Sequence, residues 1–213
     1  HGIHPMAGIE FRNGDRYLYT GIAMNNEGFM ELNDFLSDRN EAKEDFPERP
    51  PDFDHVYIIY IWDNRPERLR PNELIGIRPR DVNRLPYSSL DAYRDRLIIW
   101  QPVSFAGKRD FVIHKHLRAI DHNTLLSKLT PENLGTDRDM MIPLDLLLCA
   151  YEDHPQIVRN TEALIANCGI TFDYRSIKNK QVFTTSRRDD RVLLEKLAYE
   201  GLRYRYGLHN AEA

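Results

Sequence analysis

Apolar residues along this chain change their spacing several times, and each change marks an element. Met6 to Phe11 and Tyr17 to Met24 are runs of strand length, separated by Asn13-Gly14, a strong turn signal. The spacing then becomes helical: Phe29, Leu32, Phe35 and Leu36 fall on one face, with Asn25 or Asn26 placed to cap the helix. From Asn40 to Asp54 the chain is acidic and carries Pro47, Pro50 and Pro51, which predicts a surface loop. His55 to Trp62, Leu74 to Ile77 and Leu97 to Val103 read as three further strands, with a helix after Ser88 or Ser89. From Arg109 onward the pattern is helical. Phe111, Ile113, His114, Leu117 and Ile120 or Asp121 mark one helix, and Pro143 to Tyr151 a second. Pro155 suits the first turn of a third, with Ile157, Val158, Ala163, Leu164 and Ile165 as its apolar positions. The last helix starts at Asp189 or Asp190, and Val192, Leu193, Leu197 and Leu202 form its expected buried stripe.

This alternation predicts one α/β domain with a barrel-like sheet over residues 1–105 and a mainly helical part over 106–207, followed by a tail at 208–213. A chain of 213 residues with 41% hydrophobic content is long enough to bury a core. Its 29% charged residues and mean hydropathy of −0.58 fit a soluble, cytoplasmic protein with no membrane partner. The longest apolar run, Val56 to Trp62, is far short of the ~20 residues that span a bilayer. Cys149 and Cys168 read as buried reduced thiols, because two cysteines alone make no zinc site. A net charge of −4 argues against tight DNA binding by this segment alone, since phosphate neutralisation supplies most non-specific affinity.

Several motifs occur in a fixed order. Near the start stand Gly8-Ile9-Glu10-Phe11 and Tyr17-Leu18-Tyr19-Thr20-Gly21-Ile22-Ala23-Met24-Asn25-Asn26-Glu27-Gly28-Phe29. Further on come Asp153-His154-Pro155, Asn160-Thr161, Ala166-Asn167-Cys168 and Glu200-Gly201-Leu202-Arg203-Tyr204-Arg205-Tyr206-Gly207. Together they resemble the PHP (polymerase and histidinol phosphatase) domain at the front of the alpha subunit of bacterial DNA polymerase III, from about residue 2 to residue 207. The resemblance implies a PHP-type distorted (β/α) barrel, incomplete at its N-terminal side, with a helical C-terminal third. Two strand–helix units are expected upstream of the strand Met6 to Phe11, which would otherwise be an uncovered interior strand.

PHP domains with hydrolytic activity hold two or three metal ions on histidines and acids at the carboxyl ends of barrel strands. By resemblance, Glu10 matches one such metal ligand and should face the barrel mouth from the end of its strand. The next ligand position, a histidine in the family, falls on Leu18, and the late Asp-x-His falls on Ala106-Gly107-Lys108. A methyl group and an ammonium cannot replace carboxylate and imidazole around a divalent cation. The expected metal site is therefore degenerate, with zinc or manganese at Glu10 the remaining option, no cofactor otherwise and no catalytic residue in this segment.

Other candidates carry weaker chemistry. His114-Lys115-His116 would diverge by about 200° on a helix, whereas helical zinc pairs stand at i, i+4. Pro51-Asp52-Phe53-Asp54-His55 is similar to the acid run of a polymerase palm, but a third acid would fall on Val56, so it reads as a loop end. Arg65, Arg68, Arg70, Arg78 and Arg80 form either a local phosphate-binding patch or, with Glu67 and Glu73 interleaved, a self-paired solvated loop, the favoured reading. The function implied is a scaffold segment of a replicative DNA polymerase, partnered with the rest of the alpha subunit and other replisome subunits. The alternative is a metal-dependent phosphoesterase or proofreading exonuclease.

Overall fold

The computed structural model describes residues 4–173, 175–176 and 182–207. The proposed tail at 208–213 and the first three residues lie outside them. Strands β1 (Gly8–Asn13) and β2 (Arg16–Ala23) pair antiparallel across the two-residue turn Gly14-Asp15. Gly14 sits at φ +58°, a conformation that costs a residue without Cβ little. Asp15 in this turn accepts a hydrogen bond from Asn133 Nδ2 at 2.9 Å and pairs with Arg118.

Helix α1 (Asn26–Ala42) follows, capped by Asn25 Oδ1, which accepts from the Gly28 amide at 3.0 Å. Gly28 is required there by contact. A Cβ on it would lie 2.0 Å from the backbone oxygen of His55, so a side chain would push α1 off the sheet. Strands β3 (Val56–Ile61), β4 (Glu73–Ile77) and β5 (Leu97–Ile99) complete the sheet. β3 is antiparallel to β2, and β3, β4 and β5 are mutually parallel.

The barrel expected from the alternation of elements and from the resemblance is not formed. The α/β class holds, but the strands make one open, mixed five-stranded sheet in the order β1-β2-β3-β4-β5, whose outer strands do not pair with each other. The physical reason is in the connections. A two-residue turn forces β1 and β2 antiparallel, whereas a (β/α) barrel closes only with enough tilted parallel strands, typically eight. Beyond β5, pairing among the described residues is limited to one isolated bridge, Phe105 to Met140. β1 is an edge strand, and its exposed face carries the charged pair Glu10 and Arg12, a common way of blunting an edge.

The expected strand Leu97 to Val103 stops at Ile99, because Pro102 has no N–H to give a ladder. The helix after Ser88 or Ser89 is 3₁₀ rather than α: two such stretches, Pro79–Tyr87 and Ser89–Arg96, fill the β4–β5 crossover. Helices α2 (Lys108–Asp121), α3 (Leu144–Cys149) and α4 (Pro155–Asn167) follow, with Pro155 in the first turn of α4 as its φ preference favours.

One sheet face packs on α1 through Phe11, Leu18, Tyr19, Leu32, Val56, Ile58 and Tyr60, with Phe35 and Phe46 against them. On the other face Ile59, Leu74 and Ile98 meet Leu164 and Cys168 of α4 and its C-cap. A third cluster, including Ile75, Ile77, Leu90, Tyr151 and Ile157, seals the 3₁₀ stretches against β4. Burial pushes the Cys168 thiol up to about 11, so it stays protonated, whereas Cys149 is exposed rather than buried as its sequence context suggested.

The compact unit that contains the sheet and α1 to α4 ends at Thr171, and a second unit starts at Phe172. In that second unit α5 (Arg187–Tyr206) is capped by Ser186 and buries none of the expected stripe fully. Among the described residues, no helix is long and apolar enough to cross a membrane.

Candidate functional site

Glu10 is the third of six residues in β1, so it stands mid-strand rather than at a strand end facing a barrel mouth. It pairs with Arg12 and lines a shallow cleft of about 370 Å³ together with Thr20, Trp100, Gln101 and Ser104. Tyr17 supports this face from below: its ring lies 6.0 Å from Trp100 and its hydroxyl donates to the Ile59 carbonyl at 3.1 Å.

Leu18 takes the other face. The β1–β2 register jumps from Phe11–Tyr19 to Arg12–Tyr17, leaving Leu18 as the extra residue of a bulge. Its side chain is buried beside Phe11 and Tyr19, in the core under α1. Glu10 and Leu18, assigned by resemblance to neighbouring ligand positions, thus lie on opposite sides of the sheet. At Ala106-Gly107-Lys108 the chain enters α2, and Asp110 Oδ2 accepts the amides of Ala106 and Gly107 at 3.1 and 3.2 Å. These residues do not fit a multi-metal centre. Among the described residues, no three His, Cys, Asp or Glu side chains are placed to share one ion.

The histidines of α2 have local partners. His114 Nε2 accepts from the Gly135 amide at 3.0 Å and packs against Phe105; burial, reinforced by Arg118, lowers its pKa and keeps the ring neutral. His116 Nδ1 donates to the Val112 carbonyl at 2.8 Å. Asp52 and Asp54 are exposed in the loop that enters β3.

The arginine series divides between the two ends of β4. At the amino end, Arg49 and Arg70 gather on Glu73. Arg49 donates from Nε at 2.8 Å and from Nη2 at 2.5 Å, Arg70 through its amide at 2.6 Å and Tyr60 through its hydroxyl at 3.1 Å. Burial opposes ionisation of Glu73, but these donors outweigh it and hold the carboxyl below its usual range.

At the carboxyl end, Arg78 and Arg80 line a pocket of about 190 Å³ with Pro79, Gln101, Arg138 and Asp139. Ile77, immediately before Arg78, is pinned through its carbonyl, which accepts from the Trp100 amide at 2.8 Å and the Tyr151 hydroxyl at 2.7 Å. The opposite wall is tied to the exit of β5. Gln101 Nε2 donates to the carbonyls of Arg138 and Met140 at 3.1 and 3.2 Å, and the Asp139 carbonyl accepts from Ser104 and Phe105. Sequence spacing gave no reason to join Arg138 to Arg78 and Arg80, because the segment that carries it returns to the sheet only through these backbone contacts.

No protein-family model matches the chain, and no curated protein matches it in sequence.

Proposed function

We propose that this chain is a scaffold segment of a bacterial replicative DNA polymerase, of the PHP-bearing alpha-subunit type, and that nucleotide addition is carried out by a polymerase body to which it docks. The ordered motifs from Gly8 to Gly207 support the family reading, and the occupancy of ligand positions by Leu18, Ala106 and Lys108 supports a structural role over a hydrolytic one.

One observation carries the docking role. Ile113, Leu117 and Ile120 recur at i, i+4 and i+7 on α2, a spacing that normally faces a core, yet Leu117 is 58% and Ile120 75% exposed. Ile120 continues into Leu125 and Leu126, with which it lines an open groove of about 660 Å³. A contiguous apolar surface of this kind on a charged chain marks an interaction site.

The reading is tested in two ways. In the genome, the reading frame downstream of this segment is expected to encode a Pro-Asp-x-Asp-x-Asp palm motif; a frame that closes without one overturns the assignment. In solution, the chain is expected to bind the purified polymerase body of its own organism by light scattering, and the double substitution L117D/I120D to abolish that binding while α2 stays folded by circular dichroism. Unchanged binding by the variant would remove α2 from the interface.

A further inference from the structure

We propose that the pocket at the carboxyl ends of β4 and β5 is an anion site that receives a phosphoryl group of a small phosphorylated molecule, held by Arg78, Arg80 and Arg138. It stands apart from the docking role and does not depend on the polymerase assignment.

Charge is the first argument. Three guanidiniums and one carboxylate line the pocket, an excess of two positive charges in a chain whose net charge is −4. The carboxylate offsets one of the three and is only loosely paired. Asp139 Oδ2 is occupied by the Thr136 amide at 3.0 Å, and its Oδ1 stands 3.7 Å from Arg78 Nη1, too far for a hydrogen bond. Among the described residues Arg80 forms an ion pair only with Asp81, at 3.7 Å, and that carboxylate also serves Arg84 at 3.1 Å. Arg138 has no ion pair among the described residues. At the other end of β4, by contrast, Arg49 meets the buried Glu73 at 2.5 Å.

Position and rigidity are the second argument. Open α/β sheets collect ligands outside the carboxyl ends of their parallel strands, where this pocket lies. The backbone of both walls is anchored by hydrogen bonds to its carbonyls, at Ile77 on one side and at Arg138 and Met140 on the other, which fixes the points from which the guanidiniums reach. Guanidinium forks match phosphate oxygens in pairs, which a scatter of lysines would not.

Size sets the ligand class. A volume of about 190 Å³ is below the ~300–1,000 Å³ of pockets that enclose drug-sized ligands. It accommodates a phosphate or pyrophosphate, with any attached group left in solvent toward the neighbouring Glu10 cleft, which shares Gln101 and Pro102.

The test is calorimetric titration of the full chain with inorganic phosphate, pyrophosphate and a deoxynucleoside triphosphate at constant ionic strength. Saturable binding of pyrophosphate is expected, weakened about tenfold or more by R138Q or R78Q. R68Q, an exposed arginine outside the pocket, is expected to leave it unchanged. Equal affinity for pyrophosphate and the triphosphate identifies the phosphoryl groups as the whole determinant, whereas tighter triphosphate binding adds a nucleoside contact; both support the site. Folding of each variant is checked by circular dichroism, and since Arg138 is exposed, R138Q tests the site even if R78Q unfolds. Absence of saturable binding up to about 10 mM, or an equal loss in R68Q, overturns the proposal.

Discussion

Glu73 and Asp139 are both buried carboxylates near β4, one at each end of the strand, and they are held in opposite ways. Glu73 is fully enclosed and takes four hydrogen bonds from Arg49, Arg70 and Tyr60, so its charge is spent inside the fold. Asp139 takes one amide at its side chain and stands 3.7 Å from Arg78, while two more arginines look into the same space. A closed cluster ties Arg49 and Arg70 to the start of the strand and leaves nothing for a ligand. A loosely paired one, of opposite charge balance, keeps its binding capacity for something outside the chain. The amino end of the strand is thus built for stability and the carboxyl end for recognition.

Breaking the closed end should have the largest effect. Replacing Arg49 by Met strands the Glu73 carboxylate with Tyr60 and the Arg70 amide, and is expected to cost about 3 kcal/mol in urea denaturation, the lower end for a broken buried pair because Arg49 is partly open to water. Glu73 has its pKa depressed in the fold, so its contribution is present above the ordinary value of 4.5 and is lost as pH falls through the folded value. The acid limb of the stability curve should flatten in the same variant.

Tyr151→Phe probes the support of the open end. It removes the 2.7 Å bond to the Ile77 carbonyl within the core, and a loss of about 1–1.5 kcal/mol is expected by the same measurement. Asp139→Asn sharpens the comparison further, because two readouts should move in opposite directions. Stability should fall by about 1 kcal/mol or less, while pyrophosphate affinity rises a few-fold as the only negative charge in the pocket disappears. If affinity falls instead, Asp139 is positioning Arg78 rather than opposing the anion.

The smallest effect is expected at the α1–β3 junction. There His55 is held between Glu31, 2.9 Å from its Nδ1, and Glu27, 3.2 Å from its Nε2, and the Glu31 hydrogen bond raises its pKa above 6.5. A raised folded pKa stabilises fully below the unfolded value and fades as pH climbs through the folded one. His55→Gln should therefore remove the part of the thermal midpoint that fades as pH climbs above 6.5, without shifting it at the alkaline end.

Much of the sheet was legible in the residues. Asn13-Gly14 identified the hairpin, Asn25 or Asn26 the start of α1, Pro155 the start of α4, and the unbroken apolar runs gave β3 and β4, which are buried on both faces and so lack alternation. The errors share a cause, in that each depended on contacts distant in sequence. The barrel was inferred from the alternation of elements and from resemblance, whereas strand pairing is set by how each connection enters the sheet. The α2 stripe has core spacing, but spacing alone does not supply the surface that covers it. Leu18 changed faces because of a one-residue bulge that no composition reveals. For the candidate site, Arg78 and Arg80 stood out in the sequence, but grouping them with Arg65 and Arg70 placed them on the wrong side of β4. Arg138 was invisible because only the fold brings it near.

The order of strands also governs how this sheet can be assembled in time. Every strand lies beside its predecessor in sequence, so each can be added to an existing edge as the chain leaves the ribosome, without waiting for a distant partner. The first three strands and α1 bring together most of the Phe11–Tyr60 core early, and Ile170 joins it only after α4. The opposite face is different. The helix that covers it, α4, is synthesised only after α2 and α3, so Ile59, Leu74 and Ile98 must remain uncovered through the making of both. The nascent chain therefore passes through a stage with one face of its sheet largely covered and the other sticky, the stage at which a chaperone would have most to hold.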